Sequence, residues 1–228
     1  MKNIRMIKAA ITLLALSTLG LANAQAQLLV DFDLNGYTNQ NPYTTPISTS
    51  AYGSTDANIG NSSILFGAGA TAATAANTGD RQLAAGFDGV DVAAAITNQD
   101  YLSFNIDATS GFQFTVTGID FENRGNNGSN DFSAAVRSSV DSFASNLATF
   151  TIEQDTLKTD NLSISGVTDQ TSVEFRIYVW GASAAGDDFQ FRDLDIAGTT
   201  SVIPEPSTAG LLCAAMGLVL LVRRRRLC

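Results

Sequence analysis

Three stretches in the middle of the chain place apolar residues at every second position: Leu102, Phe104 and Ile106; Phe112, Phe114 and Val116; and Val173, Phe175, Ile177 and Val179. Successive side chains of an extended strand point to opposite faces, so each set lines one side of a strand and leaves polar residues on the other. This is the pattern of a half-buried antiparallel sheet. Further strands are expected at 27–34, 62–66, 119–123, 132–138, 147–153, 161–165 and 188–197. Asn126-Asn127-Gly128 and Ser165-Gly166 supply turn residues between them. No long stretch between the termini repeats at 3.6 residues. About nine or ten short strands in one domain predict a single all-β, jelly-roll-like two-sheet sandwich over residues 27–200.

Two segments of that body read as loops. Residues 35–61 are rich in Asn, Thr, Tyr, Ser and Pro and are expected to form a long surface excursion. Residues 67–79, mostly Gly, Ala and Thr, are low in complexity. They are too short, and their threonines too irregular, for an ice-binding Ala/Thr helix.

Composition removes most enzyme chemistry. The chain has no histidine, and both cysteines, Cys213 and Cys228, lie in the last sixteen residues. A Ser-His-Asp triad, a Cys-His pair and a histidine-ligated zinc or iron site are therefore excluded from the body, and so is an internal disulfide. The N-terminal segment holds three of the 13 basic residues and the C-terminal tail four, while the tail holds one of the 22 acidic residues. Residues 27–203 keep six basic and 21 acidic side chains, a net charge near −15. Such a surface repels nucleic acid and anionic membranes and favours cations or neutral polymers.

The two ends carry different devices. Lys2, Arg5 and Lys8 precede an apolar run from Ala9 to Ala22, followed by the overlapping small-residue sites Ala22-Asn23-Ala24 and Ala24-Gln25-Ala26. Residues 1–26 thus read as a signal peptide cut by signal peptidase, the run being short for a retained anchor. At the other end, Pro204, Glu205 and Pro206 stand before an apolar stretch, Ala209 to Val222, and a block of Arg223, Arg224, Arg225 and Arg226. Fourteen helical residues span about 21 Å, marginal against roughly 30 Å of hydrocarbon. The arginine block anchors the C-terminus in the cytoplasm and leaves the body outside.

Val202-Ile203-Pro204-Glu205-Pro206-Ser207-Thr208, the short apolar helix and the terminal arginines resemble the PEP-CTERM sorting tail of Gram-negative bacteria, a tail also labelled as the C-terminal region of some ice-binding proteins. The resemblance covers residues 201–228. It implies recognition by an exosortase in the inner membrane, which the tail crosses transiently, removal near the Pro-Glu-Pro element, and release or attachment of the body outside. It also implies a setting of exopolysaccharide or cell aggregates. An ordinary tail anchor remains the alternative. Ala135-Val136-Arg137-Ser138-Ser139-Val140-Asp141-Ser142-Phe143-Ala144, Phe175-Arg176-Ile177-Tyr178-Val179-Trp180-Gly181-Ala182 and Phe191-Arg192-Asp193-Leu194-Asp195-Ile196-Ala197-Gly198 resemble segments of the sandwich bodies that precede such tails. They imply a carbohydrate-binding-module-like sandwich and no catalytic function.

Asp31-Phe32-Asp33-Leu34-Asn35-Gly36 begins like an EF-hand calcium loop, but the twelfth position, which needs a bidentate glutamate, is Pro42. A different calcium site is open, in which Asp31 or Asp33 meets Asp193 or Asp195 between the first strand and the last. Arg192, where related bodies often have Asp, speaks against it, and the alternative is a polar strand face whose acids Arg192 neutralises. Trp180 and the loop tyrosines Tyr37, Tyr43 and Tyr52 offer flat faces for sugar rings, although Trp180 equally suits packing on the sandwich. Asp187-Asp188 beside Glu174 or Asp141 would be a glycosidase pair if the fold brought an acid opposite a nucleophile. The sequence therefore leaves open a non-enzymatic surface or matrix protein associated with exopolysaccharide, a dedicated carbohydrate-binding module, and a glycan hydrolase.

Overall fold

The alternating segments become two antiparallel sheets packed face to face. The computed structural model describes residues 26–33, 46–72, 83–126, 130–182 and 187–203. The expected signal peptide, sorting motif, apolar helix and arginine block lie outside these. Among the described residues no helix is long and apolar enough to cross a membrane.

The first sheet contains β1 (Gln27–Asp33), β3 (Ser54–Thr55), β5 (Thr71–Ala72), β6 (Leu83–Gly86), β8 (Phe112–Asn126), β11 (Lys158–Ser163) and β13 (Asp188–Val202). Its order is β11-β8-β13-β1-β3, with β6 beside the opening residues of β13 and β5 beside β6. The second sheet contains β2 (Ile47–Ser48), β4 (Ser63–Phe66), β7 (Tyr101–Asp107), β9 (Phe132–Ser138), β10 (Ala148–Ile152) and β12 (Ser172–Trp180), in the order β10-β9-β12-β7-β4-β2. Phe32, Phe121, Leu194 and Ile196 of the first sheet and Phe104, Val136, Phe175 and Ile177 of the second are all sealed in one core. Rings cross the gap edge to face, Phe66 to Phe191 at 6.1 Å and Phe121 to Phe150 at 5.8 Å. Burying each such aromatic contributes roughly 2–3 kcal/mol from its apolar area, and the edge-to-face geometry adds to it.

Two β-bulges explain where the alternation changes phase. In β8 the buried residues run Phe114, Val116 and then Ile119, Phe121. What reads as two strands, at 112–116 and 119–123, is one: Gly118 pairs with Ala197 and Val116 with Gly198, leaving Thr117 as the extra residue. In β13 the buried residues run Phe189, Phe191 and then Leu194, Ile196. Phe191 faces Asn123 and Asp193 faces Glu122, so Arg192 is the extra residue there. A bulge lets two residues oppose one and turns the following side chains to the other face.

The expected surface excursion at 35–61 is corrected over its described part. Ile47 and Ile59 are buried, and β2 pairs with β4 at the edge of the second sheet. Thr49, in the short helix α1 (Thr49–Tyr52), is buried as well and exchanges hydrogen bonds with Ser62: the Ser62 amide donates to Thr49 Oγ1 at 3.1 Å and the Thr49 amide to Ser62 O at 2.9 Å. Within 67–79, residues 71–72 form β5, and residues beyond 72 lie outside the description. One helix, α2 (Val92–Asn98), was not expected; Asp91 caps it by accepting from the Ala94 amide at 2.8 Å. It has seven residues, too few for a clear 3.6 repeat.

Residues 139–147 form a strap over the outer side of the second sheet. Arg137 holds it by donating to Phe143 O at 2.9 Å and to Asn146 Oδ1 at 2.7 Å. The guanidinium of Arg176 lies between the rings of Phe143, 3.9 Å away, and Tyr101, 4.6 Å away, while its Nε donates to Glu174 at 2.7 Å.

Candidate metal centre

The strand register collects acids on the outer face of the first sheet. Asp31 of β1 pairs with Asp195 of β13, which pairs with Asp120 of β8. One step along, Asp33 pairs with Asp193, Asp193 with Glu122, and Glu122 with Thr159 of β11. Six carboxylates thus stand in two adjacent rows across three strands, because their sequence neighbours Phe32, Phe121, Leu194 and Ile196 all turn inward. Asp193 and Asp195, two residues apart with Leu194 buried between them, share that face by simple alternation.

Oxygen atoms of Asp31, Asp193 and Asp195 lie within 4.8 Å of one another, a spacing that one cation with oxygen ligands spans. Ser54 donates to Asp31 Oδ2 at 3.3 Å from β3. Beside this trio, Asp120, Glu122, Thr159, Arg192, Asp193 and Asp195 line an open depression of about 310 Å³. The Arg192 guanidinium reaches Glu122 at 3.7 Å. The crowding registers in the proton affinities. Burial, then the charges of Asp195, Asp31, Asp33 and Glu122, push Asp193 up to about 6. Burial, then Asp31, Asp120 and Asp33, raise Asp195 as well. Asp193 Oδ1 is closed off from water and has no hydrogen-bond partner. A set of carboxylates whose ionised forms repel each other, one with an unmatched oxygen, fits a hard cation such as Ca²⁺.

No protein-family model matches the chain, and no curated protein matches it in sequence. Solved structures of similar outline include carbohydrate-binding modules. One is a family 29 module (15% identity, TM-score 0.39, covering 76% of this chain and 89% of that one). A second is a variant of the module CBM29-2 complexed with mannohexaose (14%, TM-score 0.40, 76% and 92%). A third is the module CBM36 in complex with calcium and xylotriose (12%, TM-score 0.31, 42% and 71%). All three likenesses are distant.

Of the residues singled out in the sequence, the structure brings Asp31, Asp193 and Asp195 together, with Asp33 exposed at the end of the same row. Arg192 does not occupy the cluster's centre; it turns to Glu122. Trp180 ends β12 in the second sheet, half-buried and paired with Ser133, away from the acidic rows. Tyr37 and Tyr43 lie outside the described residues, and Tyr52 closes α1 with its side chain outside the description. The glycosidase pair is not assembled. Asp187 and Asp188 are buried at the start of β13, whereas Glu174 and Asp141 belong to the outer side of the second sheet and its strap. Sequence reasoning did not include Asp120 and Glu122. Part of the signal was there: with Ile119 and Phe121 inward, the residues after each must face out.

Proposed function

We propose that the chain is an exported, exosortase-sorted surface or matrix protein whose body is a non-enzymatic, carbohydrate-binding jelly roll that uses calcium on its outer acidic face. The observation that carries this reading is the trio Asp31, Asp193 and Asp195 at the rim of an open, polar depression. A cation held there by three carboxylates keeps coordination positions towards solvent, and the vicinal hydroxyls of a sugar are oxygen donors of the kind Ca²⁺ accepts. The cation would also cancel part of the repulsion between the six acids. Asp31 is the ligand on the first strand and Asp193 and Asp195 those on the last, with Asp33 beside them as a further acid. The body lacks histidine and cysteine, and the acids singled out as a glycosidase pair are not brought together among the described residues, so binding without turnover is the reading the residues favour. Tyr37, Tyr43 and Tyr52 are the proposed ring contacts.

The sorting half of the proposal rests on the sequence of the two ends: signal peptidase acts first, then an exosortase at Pro204-Glu205-Pro206, and the body stays outside the inner membrane, at the cell surface or beyond. The test for the body is retention of the full chain on exopolysaccharide and neutral-glycan matrices in calcium and in chelator. Calcium-dependent retention lost in Asp193→Asn supports the reading. Retention independent of calcium and of this variant would refute the cation's role, and release of sugar products would point to the hydrolase instead.

A further inference from the structure

A second group of oxygens surrounds one buried carboxylate, away from the acidic rows. Asp100 joins α2 to β7 and has no accessible surface. Neither of its carboxylate oxygens meets a donor in hydrogen-bond geometry. The Gly89 amide and the Asn98 side chain approach and offset only part of the cost. Burial, with the nearby Asp88 carboxylate second, raises its pKa. An ionised carboxylate removed from water is stable only with a counter-charge or a full set of hydrogen bonds. The described basic side chains are engaged elsewhere: Arg124 with Gln190, Arg137 with the strap, Lys158 with Glu153 and Asp160, Arg176 with Glu174, and Arg192 with Glu122.

The backbone around Asp100 is shaped for close approach of oxygens. A Cβ on Gly69 would stand 2.2 Å from Asp100 Oδ1 and 2.3 Å from the carbonyl oxygen of Asn98, and one on Gly89 would stand 2.9 Å from Asp100 Oδ2. Glycine at both places leaves the carboxylate and the Asn98 carbonyl side by side. Asp88 is tied into the group, its Oδ1 accepting from Asn98 Nδ2 at 2.9 Å. The frame is fixed on every side. Asp100 N donates to Ala95 O at 2.8 Å, Gly69 N to Gln99 O at 3.2 Å, Val179 N to Asp100 O at 3.1 Å and Gly181 N to Gly89 O at 2.8 Å.

We propose that Asp100 and Asp88, with the main-chain carbonyl of Asn98, hold a hard divalent cation that fastens α2 and the 67–70 turn to the second sheet. Carboxylate and carbonyl oxygens are the donors Ca²⁺ takes, in flexible geometry. The site is structural and differs from the outer-face centre in its residues, its sheet and its burial.

The experiment is a titration of the calcium-stripped full chain at neutral pH with Tb³⁺, which occupies oxygen sites of Ca²⁺ and emits when a neighbouring aromatic is excited; Tyr101 is adjacent to Asp100 in the chain. Sensitised emission that calcium displaces is expected from the wild type and from Asp193→Asn. Asp100→Asn should lose that emission and bind one Ca²⁺ fewer per chain. Asp88→Asn, at an exposed position, should fold normally and weaken binding on the order of tenfold, since affinity follows the charge of the ligands. If Asp100→Asn does not fold, Asp88→Asn decides the matter by the same readout. The proposal is overturned if neither variant changes calcium stoichiometry or Tb³⁺ emission. It is equally overturned if Asp100→Asn melts above the wild type in saturating calcium, because the carboxyl would then simply be carrying a proton.

Discussion

Replacing Asp193 with asparagine removes one negative charge from the acidic rows and keeps the shape of the side chain. In the folded chain Asp193 holds its proton up to about 6 against an ordinary 3.8, because of burial and then of the charges of Asp195, Asp31, Asp33 and Glu122. At about 1.4 kcal/mol per tenfold in proton affinity, that difference sets a ceiling of about 3 kcal/mol on the cost of ionising it in the fold. The group borders solvent, which screens the repulsion, so about half, ~1.5 kcal/mol, is the expected effect. A group whose pKa is raised by folding favours the fold at low pH. Its contribution is complete below 3.8 and disappears as pH rises through about 6. In chelator, Asp193→Asn should therefore melt above the wild type by about 3–6 °C at pH well above 6, for a domain of this size. The two should converge at low pH, where the wild-type carboxyl is protonated. In saturating calcium the order should reverse, because the variant has lost a ligand. Circular-dichroism melts over a pH series, with and without calcium, measure all of this. A variant no more stable than the wild type in chelator at neutral pH, or a difference that does not change with pH, would refute the account of the outer face as a strained carboxylate cluster.

Arg176→Lys keeps the charge beside Glu174 but gives up the planar stack between Phe143 and Tyr101, and should cost about 1–2 kcal/mol in urea unfolding. Phe121→Ala opens a cavity where the rings of Phe150, Phe189 and Phe191 meet, and should cost about 3–5 kcal/mol by the same measurement. Changing Pro204, Glu205 and Pro206 to alanine should abolish C-terminal processing in a host with an exosortase while leaving export intact, as intact-mass analysis of the membrane and extracellular fractions would show.

The strands were legible wherever one face is buried and the other wet. Expected 132–138 is β9 residue for residue, and 173–179 is β12 less one residue at each end. What the sequence hid was continuity across a bulge. The apolar phase changes between Val116 and Ile119 and again between Phe191 and Leu194, and in one dimension such a change looks like a strand ending. The 35–61 segment misled for a different reason. Only Ile47 and Ile59 of its described part enter the core, and two apolar residues in a run of Asn, Ser and Thr leave no period to read. Short α2 escaped because seven residues make less than two full turns of the 3.6 repeat.

The acidic site was half visible for the same structural reasons. Asp31, Asp33, Asp193 and Asp195 alternate with apolar residues, so the sequence alone places each pair on the outward face of its strand. That β1 lies beside β13 is a fact of topology, and the pairing of Asp31 with Asp195 is a fact of register. Neither follows from local pattern. On β8, Asp120 and Glu122 face out because Ile119 and Phe121 turn in, and the pairing of β8 with β13 sets them beside Asp195 and Asp193. Arg192, which in sequence looks like the group that neutralises these acids, is the extra residue of the β13 bulge. Its guanidinium reaches Glu122 at the rim, and Asp195 and Asp31 remain among the charges that raise Asp193.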